Sequence, residues 1–239
     1  MEKRSFLERW ALPVAILGMF IGLTLLLVIP SEPIADYVIS AGYILFLGLN
    51  GWLVSSGLTR KYREWDRFWY LYLVPFLIVG VMNLVEYDWA GLQFSGMNAA
   101  RWLINNLGVG LFEEMMMRGF VLYLLYRAWG RTRKGLIWAC IIQAVLFGAL
   151  HFSNLMQGAD FLSVLSQVIY SSFIGLAFGG MALITRSLIP GIVVHGLIDA
   201  FGAMDVYFGT SASDLPEAAG AGELLMQVGT VFVLFVPAM

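Results

Sequence analysis

The stretch LINNLGVGLFEEMMMRGFVLYLLY, residues 103–126, is long and apolar enough for a membrane helix, yet it carries charged side chains in its interior. About 20 apolar residues in a helix cross the hydrocarbon core of a bilayer. Glu113, Glu114 and Arg118 stand near the middle of this run, where each charge costs about 2.5–3.5 kcal/mol on insertion scales. We therefore expect these charges to face other polar groups and not the lipid.

The whole chain is as apolar as this stretch. Of its 239 residues 60% are hydrophobic and 13% are charged, and the mean hydropathy is +0.81. Soluble domains are usually about half apolar and about a quarter charged. We expect an integral membrane protein in a lipid bilayer, and the net charge of −2 gives no basis for a nucleic-acid partner. The single cysteine, Cys140, cannot form a disulfide within the chain or a cysteine metal cluster.

Eight continuous hydrophobic segments predict an all-α membrane protein, a bundle of about eight transmembrane helices. The last segment is short for a complete span. No domain boundary or internal repeat is evident, so residues 1–239 are expected to form a single polytopic membrane domain. The segments are 11–30, 36–58, 68–86, 103–126, 136–153, 161–185, 188–206 and 223–239.

Most of the 14 basic residues fall on one side of such a bundle. Basic residues concentrate on the cytoplasmic side of membrane proteins, so both termini are predicted to be cytoplasmic. The residues on that side are Lys3, Arg4, Arg9, Arg60, Lys61, Arg63, Arg67, Arg127, Arg131, Arg133, Lys134 and Arg186.

A small set of ionisable residues remains at membrane depth, on three of the segments. Such a set is tolerable if its members face one another or a hydrated space, so we expect an internal polar cavity. A Glu–Arg pair alone could be a structural clasp between helices, but such a clasp needs neither two histidines nor a further carboxylate. The set is Glu113, Glu114, Arg118, His151, His195 and Asp199.

Helical spacing divides the two glutamates. Glu114 and Arg118 are four residues apart and can pair on one face. Glu113 lies about 100° around the helix from Glu114, so it is free to face the cavity. His195 and Asp199 also share a face at a spacing of four.

Three motifs in this set resemble those of the CPBP family of intramembrane proteases (Abi family), which includes CAAX prenyl endopeptidases and bacteriocin-processing proteins. EEMMMR (Glu113–Arg118) is similar to the family's EExxxR motif. FGALH (Phe147–His151) is similar to FxxxH, and HGLID (His195–Asp199) to HxxxN or HxxxD. The motifs occur in the family's order within a motif-bearing core of about 103–206.

The resemblance implies hydrolysis of a peptide bond in a membrane-anchored or hydrophobic peptide. Glu113 would activate the attacking water with His151. His195 and Asp199 would hold or polarise the carbonyl oxygen. An asparagine in place of Asp199 could donate a hydrogen bond to an oxyanion, whereas an ionised aspartate would repel it. Asp199 is therefore either protonated or orients His195. The supporting residues would be Glu114, Arg118 and Phe147.

The residues alone lead to similar chemistry, because amide hydrolysis needs a base for water, donors for the oxyanion and an acid for the leaving amine. Glu113, His151 and His195 could also form a catalytic zinc set with water as fourth ligand. The usual His-Glu-x-x-His helix is absent, however. A metal-free, glutamate-based mechanism is favoured, and zinc is the alternative.

Two other functions remain as alternatives. Intramembrane Glu, His and Asp also build proton relays, so a proton-coupled transporter is one, although no inverted repeat is evident. The other is a catalytically idle member of the same family that acts as a regulatory membrane scaffold.

Overall fold

The computed structural model describes residues 6–59, 69–85, 87–209 and 221–235, and this part of the chain is helical. It contains no β-strand, only an isolated antiparallel bridge between Leu92 and Gly209. The all-α prediction is confirmed.

The described part of the chain contains ten α-helices. A π-helix, Met115–Leu122, joins the helix Gly96–Glu114 to the helix Tyr123–Trp129 without a break, and a 3₁₀ segment, His151–Gln157, continues the helix Arg133–Leu150. The helices are α1 (Phe6–Val28), α2 (Glu32–Leu49), α3 (Val74–Val85), α4 (Gly96–Glu114), α5 (Tyr123–Trp129), α6 (Arg133–Leu150), α7 (Phe161–Thr185), α8 (Ile189–Gly202), α9 (Met204–Phe208) and α10 (Ala221–Phe235).

Each of the eight predicted segments overlaps a helix, but their lengths differ. In the described part of the chain, three stretches are long and apolar enough to cross a membrane, namely Arg9–Val28, Arg133–Gln157 and Phe161–Thr185. Four others are shorter apolar helices, and the segment 103–126, with Glu113, Glu114 and Arg118 in its interior, falls in neither group, so the number of spans stays a prediction. One predicted segment, 36–58, is too long because the helix ends at Leu49, next to a turn in which Gly51 has φ +69°.

The predicted orientation rests partly on residues outside the described part of the chain. These are Lys3, Arg4, Arg60, Lys61, Arg63 and Arg67. The side on which the termini lie therefore stays a prediction.

Asp160 caps the start of α7. It accepts a hydrogen bond from the Ser163 backbone N–H at 3.0 Å, and this bond lowers the pKa of the Asp160 carboxyl below its ordinary value.

The packing of α4 against α8 sets the position of the candidate site. A Cβ atom added to Gly110 of α4 would lie 2.6 Å from the backbone nitrogen of Gly196 in α8. Only glycine allows this approach, because backbone cannot move aside as a flexible side chain can. The close contact brings Glu113, one turn after Gly110, alongside His195 of α8.

Candidate active site

The first motif lies where the helix changes its winding. Glu114 is the last residue of α4, and the eight residues that follow form the π-helix. All eight are buried, including the three methionines Met115, Met116 and Met117. The segment belongs to the larger buried cluster of the protein, so the methionines are packing residues. π-Helical turns occur frequently at functional sites.

Arg118 is only 2% exposed, and hydrogen bonds from its two terminal nitrogens and contacts with two aromatic rings hold it in place, although its Nε has no hydrogen-bond partner among the described residues. Its Nη1 donates to Oε1 of Glu114 at 2.7 Å, and its Nη2 donates to the carbonyl oxygen of Gly175 in α7 at 3.1 Å. The guanidinium carbon lies 4.7 Å and 5.0 Å from the ring centroids of Phe147 and Phe178. A buried ion pair is tolerable when further hydrogen bonds and ring contacts complete it.

His195 lies between three carboxylates. Its Nδ1 is 2.9 Å from Oε1 of Glu114, the oxygen that also accepts from Arg118. Its Nε2 is 3.3 Å from Oε2 of Glu113 and 3.8 Å from Oδ2 of Asp199. The Phe178 ring stacks on the imidazole, with centroids 5.0 Å apart. Glu114 and Phe178 thus fix the ring, and Nε2 points toward Glu113 and Asp199.

His151 stands on the other side of Phe147. The Phe147 ring lies edge-on to both histidines, 5.7 Å from the centroid of His151 and 5.8 Å from that of His195. In the described part of the chain no hydrogen bond or ion pair joins His151 to Glu113. The histidine within ion-pair distance of Glu113 is His195.

The four residues assigned a catalytic role by the resemblance line one cavity of about 620 Å³. The side chains of Glu113 and Asp199 are 22% and 28% exposed, whereas Glu114 is sealed off at 1%. The rest of the wall comes mainly from α3, α7, α8 and α10, with Asn106 of α4 and Phe147 of α6, and mixes apolar side chains with uncharged polar ones. The uncharged polar residues are Asn83, Asn106, Gln167, Tyr170, Ser171, Gln227 and Thr230.

The donor set fits a resident zinc ion poorly. Within the described residues, no group of three His, Cys, Asp or Glu side chains is placed to hold a metal ion. Both nitrogens of His195 already face carboxylate oxygens, at 2.9 Å and 3.3 Å. A zinc ligand needs a free lone pair on one of them. The choice between the two mechanisms stays a prediction.

Gln143 of α6 also belongs to the site, although none of the three motifs contains it. It is fully buried, and its Nε2 donates to the Gly175 carbonyl oxygen at 2.8 Å, the same oxygen that accepts from Arg118. A Cβ at Gly179 would lie 2.7 Å from that nitrogen, so a glycine makes room for the amide. Its sequence signal is a lone polar residue within LIWACIIQAVLF, residues 136–147.

Comparison with known proteins finds a family match over the part of the chain that carries the three motifs. Residues 95–201 match the family described as type II CAAX prenyl endopeptidase Rce1-like. An uncharacterized Bacillus subtilis (strain 168) protein, YyaK, is 28% identical to this chain over 52% of the chain and 46% of the relative. The match thus spans about half of that protein's length. No solved structure matches the chain.

Proposed function

We propose that this protein is an intramembrane endopeptidase that uses a glutamate to activate water, and the match of residues 95–201 to the Rce1-like family of CAAX prenyl endopeptidases supports the proposal. The observation that carries the proposal is the hydrogen-bonded chain from Arg118 through Glu114 to His195. His195 in turn lies 3.3 Å from the carboxylate of Glu113, which faces the cavity. Each of these charges costs free energy in a membrane helix, and a functional pocket accounts for that cost.

Glu113 is the proposed base. Its carboxylate takes a proton from a water molecule in the cavity as the water oxygen attacks the peptide carbonyl carbon. The carbonyl π electrons move onto oxygen to form the oxyanion. As the C–N bond breaks, the oxyanion collapses to the new carboxyl group and the proton held by Glu113 passes to the leaving nitrogen. A carboxyl and an amine result from one peptide bond and one water. His151, which lines the same cavity, assists the water.

His195 is the proposed electrostatic partner of the oxyanion. With Nδ1 donating to Glu114 at 2.9 Å, the doubly protonated ring can donate from Nε2 toward the cavity. Glu114 and Arg118 hold that ring in place before substrate arrives, and preorganised donors of this kind supply much of the catalytic effect in acyl transfer. Asp199 lies on the same side of Nε2 and completes the oxyanion pocket.

The cavity wall supports a hydrophobic or membrane-anchored peptide as substrate. Uncharged amide and hydroxyl groups can pair with a peptide backbone without attracting a charged side chain. Apolar walls from α3, α7 and α10 suit aliphatic or aromatic side chains.

The proposal is tested by comparing membrane-associated peptides in cells that express the wild type or Glu113→Gln. Glutamine keeps the shape of the side chain but cannot take a proton, so peptides cleaved by the wild type should stay intact. The matched control is Asp205→Asn, which removes an exposed carboxylate of α9 that does not line the cavity. The same peptide pattern from wild type and Glu113→Gln would refute the proposal.

A further inference from the structure

A second cavity, of about 550 Å³, lies where α5 ends and α6 begins. Its polar wall includes Thr132 and Lys134, and its apolar wall includes Trp129, Trp138 and Ile142. It shares no lining residue with the catalytic cavity. The chemistry proposed for the catalytic cavity therefore does not account for it.

The walls change from polar to apolar along α6. The stretch Arg133–Gln157 is one of those long and apolar enough to cross a membrane, so Lys134 lies in its first turn, at the edge of the bilayer. Ile142 is eight residues further, roughly 12 Å deeper at 1.5 Å per residue. Trp138 lies between them and is 50% exposed. Tryptophan is enriched at this level of a membrane, where headgroups meet acyl chains.

The charge around the polar end is positive. Arg133 and Lys134 are both exposed, and the sequence has no acidic residue between Glu114 and Asp160. Basic residues at a membrane surface attract anionic lipids, and basic pockets beside membrane helices bind their headgroups.

We propose that this cavity binds an anionic phospholipid, with the phosphate at Lys134 and part of an acyl chain along Trp138 and Ile142. A soluble phosphate compound would match the polar end but would leave the apolar wall uncovered. A zwitterionic lipid would match the apolar wall, but its own cation would oppose Lys134. The proposal does not depend on the proteolytic function.

Native mass spectrometry of the purified protein tests the proposal by titration with phosphatidylglycerol and with phosphatidylcholine of the same acyl chains. Wild type should bind phosphatidylglycerol at least about tenfold more tightly. Lys134→Gln should weaken that binding about five-fold, since it removes one basic contact. Lys134→Arg, which keeps the charge, should bind like the wild type. So should Arg101→Gln, which removes an exposed positive charge outside the cavity.

Equal affinity of the wild type for the two lipids would overturn the proposal and needs no variant. Equal effects of Lys134→Gln and Arg101→Gln would overturn it too, because the charge would then act only through the overall field. Displacement of phosphatidylglycerol by an equal concentration of inorganic phosphate would identify a soluble ligand and contradict the lipid assignment.

Discussion

Two neighbouring glutamates have opposite surroundings in this protein. Glu114 is sealed in an ion pair with Arg118, whereas Glu113 reaches the cavity. Helical spacing predicted this division, because a one-residue step turns the side chain by about 100°. Spacing could not predict that Gly175 and Phe178 of α7 would contact Arg118. Those contacts depend on how α7 packs, and no local pattern encodes that.

Asp199 is predicted to act as a neutral donor. Oδ2 of Asp199 is buried without a hydrogen-bond partner in the described part of the chain. Full ionisation would place three carboxylates beside two cations, Arg118 and protonated His195, and an unbalanced buried charge is costly. Asp199→Asn should therefore keep at least about a third of the cleavage rate. Asp199→Ala should lose about 100-fold, the cost of one oxyanion donor. The rates of both variants on one membrane-anchored peptide decide the matter, and an inactive Asp199→Asn variant would show that the negative charge is needed.

Gln143 is predicted to stabilise the fold around Arg118. Gln143→Leu keeps most of the volume but removes the hydrogen bond to the Gly175 carbonyl oxygen. The free energy of unfolding should fall by about 1–3 kcal/mol, measured by denaturant titration in detergent. Gln93→Leu alters an exposed glutamine and should change it by less than about 0.5 kcal/mol. Equal stability of the Gln143 and Gln93 variants would show that the buried amide of Gln143 does not stabilise the fold.

At the scale of helices, the sequence predicted the positions of the helices better than their ends and their winding. Every hydrophobic segment contains a helix because apolar length is a strong local signal. The π-helix at Met115–Leu122 was not foreseen, since a change of winding is stabilised by tertiary packing and leaves the hydrophobic pattern intact. α2 ends at Leu49 because the chain turns near Gly51, and the apolar pattern of the sequence does not reveal this turn.

The contact between α4 and α8 is predicted to be essential. In Gly110→Ala the new methyl would meet the backbone of Gly196 at 2.6 Å, so the helices must separate. The protein should lose about 1–3 kcal/mol of stability and most of its cleavage activity, because Glu113 and His195 lie on these helices. Gly42→Ala in α2 is the matched control, since a Cβ there meets nothing within 4 Å. Thermal unfolding and cleavage assays on both variants test the prediction, and unchanged behaviour of Gly110→Ala would contradict it.

At the scale of the whole molecule, composition predicted an integral membrane protein and the continuous hydrophobic segments predicted helices, and the apolar helices and the match of residues 95–201 to the Rce1-like family support this class. The number of spans depends on short helices such as α3 and α8, whose length does not decide whether they cross a bilayer. The gathering of three motifs around one cavity is a property of the assembled bundle. The sequence suggested it only through the cost of leaving charges in lipid.

Activity is predicted to survive removal of metal ions. The reason is the donor set, since both nitrogens of His195 face carboxylates. Cleavage by the purified protein should be unchanged after treatment with a strong chelator and dialysis, and elemental analysis should find no stoichiometric zinc. Loss of activity that returns with added zinc would replace the glutamate mechanism with a metal-dependent one.

The central claim is that Glu113 activates water for hydrolysis of a peptide bond, and its most direct test is isotopic. Purified protein in liposomes is incubated with a membrane-anchored peptide in ¹⁸O-labelled water, and the new C-terminus is analysed by mass spectrometry. We predict one labelled oxygen in each new carboxyl group for wild type and Asp205→Asn, and a rate at least about 100-fold lower for Glu113→Gln. Cleavage by Glu113→Gln at the wild-type rate, or products without the label, would contradict the account.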